Sequence, residues 1–83
     1  MRVVTWNCKG GLDRKVDHLL KLEPDLAIVQ ECARDFAAPS GYKYLWTGMY
    51  PSKGLGVLTK DLEARVEPQP DPSWTVFLPI VLP

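Results

Sequence analysis

Net charge is the first thing this chain lacks. Ten acidic and ten basic residues cancel, so no field over the whole surface draws in nucleic acid or an anionic membrane, and any polyanion site has to be local. Cysteine is scarce as well, with Cys8 and Cys32 alone. Two thiols far apart in sequence make no disulfide framework and match no compact zinc spacing, so free thiols are expected. No basic leader precedes an apolar segment, and no apolar run approaches the length of a membrane span. A soluble, cytoplasmic chain is the expectation. There is no internal repeat, and the one biased tract is the short stretch PQPDPSW, read as a loop. Eighty-three residues form at most one small domain with a modest core.

What is present reads as alternating strands and one helix. Residues 2 to 8 carry Val3, Val4, Thr5 and Trp6, types that favour a strand. Gly10 and Gly11 end it. Leu12, Val16, Leu19 and Leu20 then recur at helical spacing, with Asp13 in the first turn and Lys21 in the last, until Pro24 stops the helix. The run Leu26 to Val29, followed by Gln30 and Glu31, suits a strand covered on both faces. Strand, helix and strand with short links make a βαβ unit, so these two strands should run parallel. Residues 33 to 41 read as loop. YKYLWTG alternates as a third strand, SKGLGVLTK turns into a fourth, LEARVEP reads as a half-exposed fifth, and TVFLPIVLP as a last apolar strand.

The opening stretch MRVVTWNCKGG carries the chemical question, because a polar amide at the tip of an apolar strand needs a partner. If the first two strands are parallel neighbours, Asn7 and Glu31 both stand at carboxyl ends, where open α/β sheets place ligand sites. A carboxylate and an amide oxygen on one rim offer hard donors. With water and a substrate phosphate they can hold Mg²⁺ (or Mn²⁺), which polarises phosphoryl oxygens. Lys9, Gly10 and Gly11 lead into a helix N-terminus, whose free N–H groups favour a substrate phosphate. Catalytic and metal roles are therefore expected at Asn7 and Glu31, and phosphate contacts at Lys9, Gly10 and Gly11.

VVTWNCKGG followed by EPDLAIVQE resembles the opening of the endonuclease/exonuclease/phosphatase superfamily, the fold of DNase I and the apurinic endonucleases. In that family a strand ending in Trp-Asn or a similar pair leads through a helix to a Pro-Asp-apolar-Gln-Glu strand. KGLGVL is similar to the family's later glycine-containing strand. The resemblance implies an α/β fold, the N-terminal part of a DNase I-like four-layer αββα sandwich, with residues 1–83 as a single partial domain. It implies that Asn7 contacts phosphate or metal-bound water, that Glu31 is the metal ligand, and that Gln30 supports Glu31. It further implies a Mg²⁺-dependent hydrolase of a phosphoester, nucleic acid being one candidate. The family's water-activating Asp-x-Asn and late Asp-His have no counterpart in the chain, so catalysis by these 83 residues alone is not expected.

Blander readings compete at each position. Asn7 by itself suits a turn cap, although Glu31 in the same relation to the second strand favours a shared site. His18 falls opposite the leucine stripe and should point to solvent. Tyr42, Tyr44 and Trp46 have the spacing of a base-stacking ladder, but aromatics at period two more often pack a sheet. The glycines of GLG, residues 54 to 56, read as close packing or a bulge. Two other classes stand beside the hydrolase. One is a small non-catalytic binding module or remnant that adds a strand along residues 75 to 82. The other is a thiol switch in which Cys8 and Cys32 cross-link.

Overall fold

The structure, a computed structural model, describes residues 1–60, 64–68 and 78–81. Strand β1 spans Val3–Asn7 and pairs in parallel with β2, Leu26–Cys32, in the register Val3 to Leu26 through Asn7 to Gln30. Helix α1, Leu12–Leu20, crosses between them. The expected βαβ unit is therefore present, and the chain is a mixed α/β fold. Three successive left-handed residues, Lys9, Gly10 and Gly11 (φ 54°, 80° and 71°), turn the chain out of β1 and into α1. Two of the three are glycines, for which this region carries no steric cost. Pro24 lies fully buried just beyond the helix, after Glu23 at φ 50°.

Strands β3, Tyr42–Tyr50, and β4, Lys53–Lys60, form a hairpin, and β4 inserts between β3 and β2. The sheet order is β1-β2-β4-β3, with one parallel pair followed by two antiparallel ones. Of the two later strands expected, β5 is Arg65–Val66 and β6 is Ile80–Val81. They pair antiparallel with each other in a separate two-stranded sheet. Residues 69–74 of the proline-rich loop and residues 75–77 and 82 of the proposed edge lie outside the described residues. Among the described residues no helix is long and apolar enough to cross a membrane.

One face of the sheet carries the core. Leu12 and Leu19 of α1 are buried against Ala27, Val29 and Leu58, with Val4, Trp6 and Val16 packed beside them. The other face of β2 is only half covered at Leu26 and Ile28. The expectation of a strand buried on both faces thus holds for one face alone, because helix α1 packs on that side.

The aromatic alternation of β3 belongs to this core and forms no stacking ladder. Tyr42, Tyr44 and Trp46 all pack on it, and each polar tip finds a backbone carbonyl. The Tyr42 hydroxyl donates to Pro24 at 2.8 Å, that of Tyr44 to Ala33 at 2.7 Å, and Trp46 Nε1 to Cys32 at 3.0 Å. Large rings fit here because β4 offers glycine beneath them. A Cβ on Gly56 would stand 2.6 Å from Cys32 Sγ and 2.7 Å from Tyr44 Cε1, and one on Gly54 would strike the Trp46 ring and the Thr47 carbonyl.

Candidate functional site

The parallel register sets Asn7 beside Gln30, and the next residue along β2 is Glu31. Strict alternation would turn Glu31 into the core and Cys32 away from it. A bulge prevents this: Gln30 pairs with Leu55 and Cys32 with Gly54, leaving Glu31 without a partner on β4. Glu31 takes a left-handed φ of 57°, a conformation that costs a non-glycine residue free energy and concentrates at functional sites. Its effect is to deliver Cys32 to the core and release the carboxylate onto the rim. The turn after β1 follows the bulge closely. Cys8 N donates to Gln30 O at 3.2 Å and Gly10 N to Glu31 O at 2.9 Å.

Asn7 carries out both tasks that the sequence left open. Its Oδ1 accepts the Lys9 amide at 3.0 Å, which caps the turn, and its Nδ2 donates to Glu31 Oε2. The second carboxylate oxygen faces Lys53, whose Nζ lies 3.3 Å from Oε1. Beside them a groove of about 250 Å³ is lined by Gln30, Glu31, Lys53, Gly54 and Leu55.

The other expected residues distribute as follows. Lys9 is exposed on the rim, with its amide engaged by Asn7. The Gly10 amide is engaged by the bulge, and Gly11 is the N-cap of α1 with no side-chain cap. Gln30 does not support Glu31 through its side chain as expected. Its side chain turns along the same face toward β1, where Nε2 donates to Thr5 Oγ1 at 3.0 Å. His18 is exposed, as its place on the helix implied. Cys8 and Cys32 are buried free thiols. Lys53 was not anticipated, since nothing local marks it and only the pairing of β4 with β2 brings it to Glu31. Arg14, also unanticipated, packs its guanidinium on Gly11 at the helix start.

Hydrogen bonding to Asn7, and then to Lys53, holds the Glu31 carboxyl below the usual carboxylate range, with the charges of Lys53 and Lys9 adding to the effect. A depressed pKa stabilises the fold above the unfolded-state value, and that contribution is lost as pH falls through the folded-state value. The Glu31 contribution is thus complete at neutral pH and disappears only in acid below the normal range. A ¹³C-detected titration is expected to give Glu31 a midpoint below that of free glutamate. Asn7→Ala should raise the midpoint more than Lys53→Met does, and an unshifted midpoint in the unaltered chain would contradict this geometry.

Among the described residues no three His, Cys, Asp or Glu side chains converge, so a cation at this rim would draw one carboxylate from the protein. That donor set fits Mg²⁺, which binds through one or two carboxylates and keeps several waters.

Comparison with family models, with curated proteins and with solved structures returns no match. Any functional reading therefore rests on the rim itself and on the motif that builds it.

Proposed function

We propose that the chain is the amino-terminal part of a DNase I-like αββα domain whose complete form is a Mg²⁺-dependent phosphoester hydrolase. The observation that carries this reading is the Asn7–Glu31 pair, with Glu31 at left-handed φ on a bulge at the carboxyl end of a parallel strand pair. The bulge that strains Glu31 returns Cys32 to the core and leaves the carboxylate 36% exposed on the rim.

In this reading Glu31 is the cation ligand. Asn7 has its oxygen on the Lys9 amide and its nitrogen on Glu31, so it aims the carboxylate and keeps a second N–H for a phosphate oxygen. The metal, when bound, polarises the phosphoryl group and stabilises developing charge. Lys9 and the start of α1 add positive potential on the side facing the substrate. The chain's own residues supply no water-activating Asp-x-Asn and no late Asp-His, so the 83 residues bind the cation weakly and leave the phosphoester intact.

Mn²⁺ titration followed by water-proton relaxation tests the reading. The chain is expected to bind Mn²⁺, Glu31→Gln to lose the binding, and Asn7→Ala to weaken it about tenfold, as loss of a group that orients a ligand does. Equal affinity in the unaltered chain and Glu31→Gln would overturn it.

A further inference from the structure

Lys53 has no place in the motif that identified the rim, yet it is the cation in direct contact with Glu31. The pair does little for stability. Its side chains are 64% and 36% exposed, and ion pairs so open to water are screened and nearly neutral energetically. Two other nearby basic groups are committed elsewhere, while Lys9 acts on Glu31 through its charge from an exposed position on the rim. Lys15 Nζ donates to the Cys8 carbonyl at 2.7 Å, and Arg14 is packed on Gly11.

The base of Lys53, in contrast, is firmly placed. It opens β4 opposite Tyr50, and the hairpin turn beside it is tied down by Arg34 N donating to Pro51 O at 2.8 Å. Gly54, the next residue, is buried against Trp46. A fixed backbone thus carries an exposed ammonium at the mouth of the groove lined by Gln30, Glu31, Gly54 and Leu55. The ammonium sits on Oε1, the carboxylate oxygen that Asn7 leaves to it.

We propose that Lys53 is an anion-binding residue of this rim, parked on Glu31 until a divalent cation takes that oxygen and turns it to a phosphoryl group in the groove. The inference rests on Glu31 as a cation ligand. An ammonium and a divalent cation on one carboxylate oxygen compete for it and repel each other. With a cation bound there, the Lys53 ammonium would leave Oε1 and, tethered at the mouth of the groove, would be placed to meet a phosphate oxygen. Phosphate then gains a charge-assisted hydrogen bond that is absent while Lys53 is on Glu31. Lys53 therefore acts in opposite directions on the two ligands, opposing the cation and favouring the anion.

The chain and its Lys53→Met variant distinguish this from a structural ion pair. Mn²⁺ affinity, read by relaxation at low salt, is expected to rise about threefold in Lys53→Met, the scale of an exposed pair removed as a competitor. Binding of inorganic phosphate and of dimethyl phosphate at saturating Mn²⁺, read by ³¹P line broadening, is expected to weaken about tenfold. Lys53→Arg should restore the anion affinity. Weakening with both anions marks a phosphodiester subsite, and weakening with inorganic phosphate alone marks a monoester subsite; either supports the assignment. Unchanged anion binding, or Mn²⁺ affinity that falls, overturns it while the cation site stands. Mn²⁺ affinity that is the same in the unaltered chain and in Glu31→Gln removes the cation site and the Lys53 assignment together.

Discussion

Leu58→Ala is expected to lower the melting temperature by at least about 10 °C and to leave much of the chain unfolded at 37 °C. Leu58 is fully buried and among the largest such side chains. It stands mid-sheet on β4, opposite Ala27 of β2 on one side and Tyr44 of β3 on the other. Ala27 is too small to fill the space, and Tyr44 is held by its hydroxyl on Ala33, so the void would persist. Such truncations cost about 2–5 kcal/mol, against about 0.05–0.15 kcal/mol per residue for a whole domain. Each kcal/mol moves the melting point of a chain this size by roughly 4–8 °C. Thermal denaturation followed by circular dichroism measures it, and a shift of only a degree or two would show that the sheet and helix do not close on Leu58.

Alkylation of Cys8 and Cys32 by iodoacetamide is expected to run at least about a hundredfold slower in the folded chain than in guanidinium, because reagent reaches them only through opening of the core. Cys8 is 2% exposed and Cys32 fully buried. Cys8 Sγ rests on the carbonyls of Gln30 and Glu31, each at 3.4 Å. Cys32 Sγ lies 3.3 Å from the Val29 carbonyl, and the Tyr44 hydroxyl is 3.3 Å away. Burial pushes the Cys32 thiol up from its ordinary pKa, which further reduces the reactive thiolate. Burial raises the Tyr44 hydroxyl as well, with the Cys32 hydrogen bond adding to it, so that group remains a neutral donor. Cys32 should therefore label more slowly than Cys8. Rapid labelling of both would contradict this burial, and reversible cross-linking under mild oxidation would instead favour the thiol switch. Mass spectrometry of timed aliquots separates these outcomes.

The first unit of the fold was legible because its signals are local. Leu12, Val16 and Leu19 mark the buried stripe of α1, Pro24 marks its end, and the parallel pairing of β1 and β2 follows from the short crossover. Once those strands are neighbours, Asn7 and Glu31 reach one rim. Beyond that point local pattern loses its hold. The period of two in YKYLWTG identifies a strand but leaves open which face is buried, and the packing of Tyr44 over Gly56 and Trp46 over Gly54 supplies the answer. Likewise, the glycines of β4 could be read as close packing or a bulge, whereas the bulge itself falls at Glu31, where no glycine announces it.

By itself the sequence determined the mixed α/β class, the order strand-helix-strand, and the amide and carboxylate that terminate the two parallel strands. These depend on side-chain periodicity and chain-breaking residues, which act over a few positions. Only the tertiary structure decided that β4 lies between β2 and β3, that Gln30 turns to Thr5, that Glu31 leaves the pleat, and that Lys53 meets it. Those outcomes depend on strand order and register between residues some twenty positions apart, and no local propensity encodes them.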